Sequence, residues 1–252
     1  MPSYLDTSHG RRIAYHKTDG QGPCVVFLGG LKSDMEGTKA LHLEAWAKQQ
    51  GRAFLRFDYS GHGQSSGTFE EGAIGDWHQD TMAVVEALTE GPLVVVGSSM
   101  GGWQALLLAR AVPDRIAGLV TIAAAPDFTE DGYWASFTDA QKAALEQVGQ
   151  IELPSDYMEP YVVTKRMIEN GRRHLVLRAP LTLSFPTRFL QGTADTAVST
   201  DTALRLLDHA KGSDIRLLLV KDADHRFSDA TCLDLIEQAV IEVSTSGRGL
   251  AT

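Results

Sequence analysis

Cysteine is scarce: Cys24 and Cys232 are the only two in 252 residues. Two thiols, one in a strand-like run and one in a helix-like run, offer no disulfide framework and suit a reducing compartment. The opening residues, MPSYLDTSHG, lack both a basic-then-apolar secretion signal and an Arg-rich amphipathic leader, so the expected location is cytoplasmic. No apolar run approaches the roughly 20 residues of a membrane span, and stable membrane insertion is not expected. Positive charge is also short, with 23 Lys and Arg against 32 Asp and Glu. The resulting net charge of −9 disfavours a surface for nucleic acid or anionic lipid. Neither a G-x-G-x-x-G following a strand nor a Walker-type lysine is present, so no nucleotide cofactor is expected. The chain also has no H-E-x-x-H and no cysteine pair, and no metal is expected.

What the chain does have is alternation. Short β-branched runs at 24–28, 53–57 and 93–96 are each followed by a helix-period stretch, at 38–50, 76–88 and 101–111. The rhythm returns with runs at 116–122, 187–190 and 215–220 and helix-period stretches at 200–210 and 231–243. Strand and helix in turn predict an α/β fold, a mostly parallel sheet of about eight strands flanked by helices. Residues 4–5 and 12–15, joined by a polar Gly-containing turn, predict an antiparallel pair at the sheet edge. Between Pro126 and Pro186 the rhythm breaks into helix-like pieces, including 139–148 and 161–170, which reads as a helical lid inserted into one domain spanning 1–252. The tail, 244–252, has no periodicity and is expected to fray.

The run Leu93-Val94-Val95-Val96 leads straight into Gly97-Ser98-Ser99-Met100-Gly101-Gly102. A G-x-S-x-G at a strand-to-helix turn forms a nucleophile elbow: the turn holds the serine in a strained conformation, and residues two before and two after it have no room for side chains. Centring on Ser99 places Gly97 and Gly101 there, whereas centring on Ser98 would place Val96 and Met100. Ser99 is therefore the nucleophile candidate. A serine needs a histidine to take its proton and an acid to orient that histidine, in the chain order Ser, acid, His. Of eight histidines only His174, His209 and His225 follow Ser99. His225, in KDADHRFS just past a strand, is the candidate base; His209 suits a helix end and His174 a basic segment. Asp195, in a loop after 187–190, is the candidate acid, with Asp127 as its rival. Asp222 and Asp224 lie too close to His225 along the chain. For the oxyanion hole, the candidates are the backbone N–H groups of Met100, after the nucleophile, and Leu31, in the Gly-rich loop after the first parallel strand.

Other features carry two readings. Asp58 and His62 in DYSGHGQS suggest a metal weakly and a structural turn better. Tyr133, Trp134, Phe137, Tyr157, Met158, Tyr161 and Met167 in the insertion either wall an acyl pocket or cover the sheet, with Trp134 and Tyr157 taken as substrate-binding candidates. The stretch TKRMIENGRRHLVLR holds five Lys or Arg against one Glu. It reads as a charged surface in preference to a substrate-anion site.

With GTKA, RFDYSGHGQSSG, GSSMGGW and DHRFS together, spread over nearly the whole chain, the sequence resembles the α/β-hydrolase superfamily. Within it, the likeness is to the mitochondrial group with palmitoyl-protein thioesterase and acyl-glucuronide esterase activity and its bacterial relatives. The resemblance implies a cofactor-free serine hydrolase that cleaves esters or thioesters through an acyl-enzyme, with Ser99, Asp195 and His225 as its triad. The expected partner is a small acyl ester or thioester, or an acylated protein. Rival readings are an idle ligand-binding protein of the same fold, a carbon-carbon bond or lactone hydrolase on the same triad, and an acyltransferase.

Overall fold

A computed structural model describes residues 1–153 and 161–245. Eight strands form the main sheet: β1 (Ser3–Asp6), β2 (Arg12–Thr18), β3 (Gln21–Leu28), β4 (Arg52–Phe57), β5 (Leu93–Ser98), β6 (Ile116–Ile122), β7 (Thr187–Gly192) and β8 (Ile215–Val220). Their spatial order is β1-β2-β4-β3-β5-β6-β7-β8. As the early pair of runs predicts, β1 and β2 are antiparallel at one edge, from Ser3 opposite Tyr15 to Asp6 opposite Arg12. β2 also meets β4 antiparallel, and every later pairing is parallel. The helices are α1 (Thr38–Gln49), α2 (Ile74–Leu88), α3 (Met100–Ala111), α4 (Asp139–Val148), α5 (Lys165–Arg172), α6 (Thr200–His209) and α7 (Ala230–Thr245).

The central strands β3, β5 and β6 are apolar on both sides over most of their length because helices cover both faces. In β3, Val26 and Leu28 enter one core with Trp77 and Leu106 of α2 and α3, whereas Val25 and Phe27 enter a second core with Leu43 of α1 and Ile236 and Val240 of α7. The period-2 alternation of a strand sends successive side chains to opposite layers. Each thiol is buried in one of these layers, Cys24 in the first and Cys232 in the second. Burial pushes the Cys24 thiol up to about 11. Burial and the nearby Asp229 carboxylate push Cys232 up to about 12. A thiol that stays protonated is a poor nucleophile. The folded protein at pH 8 is therefore expected to leave Ellman's reagent unreacted, and denaturant is expected to release both thiols. Rapid labelling of either in the native state would contradict this packing.

The insertion differs from the helical expectation. Besides α4 and α5 it contains an antiparallel strand pair, Gln150–Leu153 with Tyr161–Thr164, in which Ile151 faces Val163. The stretch 161–170 therefore divides: Tyr161-Val162-Val163-Thr164 is β-branched and finds a partner, and Thr164 then caps α5 by accepting the Met167 N–H. The piece 129–134 forms a π-helical turn. At the other end, α7 continues to Thr245, two residues into the stretch expected to fray. Residues 246–252 lie outside the described residues. Among the described residues, no helix is long and apolar enough to cross a membrane.

Candidate active site

β5 ends at Ser98 and α3 begins at Met100, so Ser99 is the whole of the turn between them. Its φ of 56° and ψ of −119° lie where a non-glycine residue pays strain, held by an N–H bond to Ile122 O at 2.9 Å. The glycines on either side explain themselves. A Cβ on Gly97 would lie 2.2 Å from Gly101 O, and one on Gly101 would lie 2.0 Å from Leu28 O. Strand β5, helix α3 and the end of β3 thus touch backbone to backbone, and only glycine permits it.

His225 lies in the loop after β8, and Asp195 in the loop after β7. The two loops close on each other because Gly192 has no side chain: a Cβ there would lie 2.2 Å from Ala223 O. His225 Nε2 lies 3.1 Å from Ser99 Oγ, and His225 Nδ1 lies 2.8 Å from Asp195 Oδ2. Asp195 has no exposed side-chain surface, whereas His225 keeps 31% of its own. The carboxylate accepts the N–H groups of Ala197 and Val198 on Oδ1 and the Gln191 side-chain amide on Oδ2. Burial alone would raise its pKa, but the bonds from His225, Val198 and Gln191 together hold it below the ordinary carboxylate value. It is an anion at neutral pH, suited to orient an imidazole and to stabilise the imidazolium. Gln191 is the member of this cluster that reading the sequence missed; the available signal was one amide side chain following the apolar pair Phe189-Leu190 near the end of a parallel strand.

The rival acid is elsewhere. Asp127, fully buried with φ 59°, accepts the N–H groups of Val176 and Leu177 at 2.8 and 3.0 Å and the Arg178 guanidinium at 2.7 Å. It ties the start of the insertion to its return. Asp127→Ala is expected to lower urea-unfolding stability by about 3 kcal/mol, because it leaves buried donors unpaired. If Asp127 oriented His225, the loss would appear in kcat at undiminished stability.

Met100 is the first residue of α3, where an N–H has no acceptor within the helix. The loop carrying Leu31 runs beside it: a Cβ on the preceding Gly30 would lie 3.4 Å from Ser99 Cβ. Both expected oxyanion donors therefore belong to backbone that adjoins the nucleophile. Trp134 is half-buried on the insertion, where its ring meets Phe137, Lys142 and the Arg172 guanidinium. Tyr157 lies outside the described residues.

The basic stretch turns out to be a set of struts. Lys165 pairs with Glu146, Arg166 with Asp76 on α2, Arg172 with Glu130, and Arg178 with Asp127 and Asp131. Of these, only Arg166 reaches outside residues 126–186, to α2; the other pairs tie the insertion to itself. The Asp58–Ser65 stretch is a braced turn. Asp58 accepts the N–H groups of Met35 and Gln64, while His62 packs edge-on against Tyr59, Phe69 and Trp77, with burial lowering its pKa.

A sharp serine turn between a parallel strand and a helix, met by an imidazole from the far end of the chain, defines a serine hydrolase of the α/β-hydrolase class. Residues 23–153 match the family described as serine aminopeptidase, S33, and the chain belongs to that family of α/β hydrolases. Among curated proteins it is 34% identical over 239 residues to the mitochondrial palmitoyl-protein thioesterase ABHD10 of Bos taurus, covering 93% of this chain and 77% of that one. The human protein is likewise 34% identical over 236 residues, covering 93% and 77%. Among solved structures, a hydrolase from Agrobacterium vitis S4 superposes with a TM-score of 0.93 at 36% identity, covering 97% of this chain and 98% of that one. The mouse α/β hydrolase domain-containing protein 10 gives 0.89 at 30%, covering 96% and 98%. These relatives correct the expectation of a cytoplasmic location, since the curated ones are mitochondrial proteins. That expectation rested on the opening residues, and the lack of a leader-like pattern there names no compartment; unpaired thiols fit any reducing one.

Proposed function

We propose that Ser99, His225 and Asp195 act as nucleophile, general base and orienting acid in the hydrolysis of carboxylic ester or thioester bonds. The observation that carries this reading is the unbroken hydrogen-bond chain Ser99 Oγ, His225 Nε2, His225 Nδ1, Asp195 Oδ2, at 3.1 and 2.8 Å. Ser99 Oγ attacks the acyl carbon as its proton passes to His225 Nε2. The negative charge that develops on the carbonyl oxygen is met by the N–H groups of Met100 and Leu31. His225 then delivers the proton to the departing alcohol or thiol, leaving Ser99 acylated. Water, deprotonated by the same imidazole, attacks the acyl-enzyme and releases the acid. Asp195 keeps the Nδ1 proton in place and offsets the charge of the imidazolium.

The description of the mammalian relatives as palmitoyl-protein thioesterases supports an acyl thioester, free or on a protein, beside simple esters as substrate. On this reading the chain works as one domain, with residues 126–186 as a lid whose Trp134 contributes to the acyl-binding wall. A fluorophosphonate probe followed by peptide mass spectrometry tests the mechanism, and a panel from acetyl to palmitoyl, as oxygen esters and thioesters, tests the substrate class. Labelling at Ser99 and turnover of short and medium acyl chains are expected. Tight ligand binding without labelling would favour the idle binding protein instead.

A further inference from the structure

Lys39, in the GTKA stretch, is a half-buried lysine on the first turn of α1, and its Nζ lies 2.5 Å from the main-chain oxygen of Arg226. That oxygen belongs to the peptide unit joining Arg226 to Phe227, immediately after His225. The same peptide is held at its other end, since the Phe227 N–H donates to Asp224 Oδ1 at 3.0 Å. One amide plane therefore has its carbonyl fixed by an ammonium and its N–H fixed by a carboxylate. Such double pinning matters here because Phe227 has φ 49° and no exposed surface. A bulky residue stays in the left-handed region only when its surroundings over-determine it. Its ring packs in the core that contains Ala40 and Leu43 of α1, so the helix that sends out Lys39 also seats Phe227. Asp224 and Lys39 are near enough for the carboxylate to act on the lysine, whose pKa is lowered by burial first and held up in part by Asp224.

We infer that Lys39 is a positioning residue for His225: its ammonium, with Asp224, brackets the Arg226–Phe227 peptide and so fixes the loop that presents the imidazole to Ser99 and Asp195. The need for such a device follows from the site. The acid sits on a short loop with no exposed side chain and several hydrogen bonds of its own, whereas the base keeps 31% of its side-chain surface and stands on the connection between β8 and α7. During turnover the imidazole gains and loses a proton and a charge, and it must stay within hydrogen-bond reach of Ser99 Oγ throughout. A lysine stem crossing from α1, an element outside both triad loops, supplies a fixed reference.

This inference rests on the triad reading above, and its test separates the two. In the full-length protein, Lys39→Met keeps the aliphatic stem and removes the donors. It is expected to lower kcat on a p-nitrophenyl ester by about tenfold to a hundredfold with KM changed less than about threefold, because the loss is in alignment and not in substrate contact. The rate of fluorophosphonate labelling should fall in parallel. Lys39→Arg, which can still reach a carbonyl with an N–H, should recover most of the rate, and added ethylamine should partly rescue Lys39→Ala. Asp224→Asn should lose less than Lys39→Met, since its amide oxygen still accepts the Phe227 N–H. Unchanged kcat in Lys39→Met would overturn the inference, as would a fall in Tm with no split between kcat and KM and no rescue by Arg or amine. Failure of the wild-type protein itself to label at Ser99 is the separate result that removes the triad reading and this inference with it.

Discussion

Ser99→Ala is expected to lower kcat on any ester or thioester that the protein turns over by about ten-thousandfold or more, with KM and unfolding midpoint little changed. The size of the effect follows from the arrangement of the site. Without Oγ there is no acyl-enzyme, and His225, 3.1 Å away in the intact protein, has no hydroxyl proton to take. What survives is rate from the oxyanion donors and substrate binding acting on water. Ser98→Ala is the internal control. Ser98 is the last residue of β5 and is buried, and its loss should leave most of the activity in place. Equal loss in the two variants, or wild-type turnover by Ser99→Ala, would remove Ser99 from its role.

Gly101→Ala is expected to destabilise the fold by about 3 kcal/mol or more and to depress kcat in whatever protein remains folded. The new Cβ would lie 2.0 Å from Leu28 O and 2.5 Å from Gly29 O, and neither is the end of a flexible side chain. Either α3 withdraws from β3 or the end of β3 moves. Both displacements part Met100 from the loop of Leu31 and so open the proposed oxyanion hole. Gly132→Ala is the contrast: the nearest atom to its Cβ is Phe128 Cβ at 3.7 Å, ordinary contact, and a change within about 0.5 kcal/mol is expected. Urea unfolding of the two variants beside the wild type measures the difference. A Gly101→Ala protein of normal stability and rate would mean that the elbow is looser than its backbone contacts imply.

The strands and helices of the sheet were legible because each is a run with one period and a clear end. The run 116–122 and the run 215–220 coincide with β6 and β8 to the residue. The insertion was less legible. Tyr161-Val162-Val163-Thr164 abuts a helix with only the Thr164 cap between them, and what makes it a strand is its partner at 150–153. The basic stretch shows the same limit. Its charge was plain, but Asp76, which receives Arg166, lies 90 positions away.

The elbow is local in the sequence and could be read directly: Gly97, Ser99 and Gly101 stand directly behind an apolar strand run and ahead of a helix-period stretch, the setting in which that turn forms. The order of nucleophile, acid and base along the chain, and the kind of fold that carries them, were set by the same linear pattern. What separates Asp195, the proposed acid, from its rival Asp127 exists only in the tertiary structure, since both follow a parallel strand and the difference lies in what each carboxylate meets. Asp195 meets His225 across the junction opened by Gly192, and Asp127 meets the returning leg of the insertion. The roles of Gln191 and Lys39 were decided there as well. A side chain's hydrogen bond to distant backbone leaves no period or spacing in the sequence, and it exists only once packing has brought the two segments together.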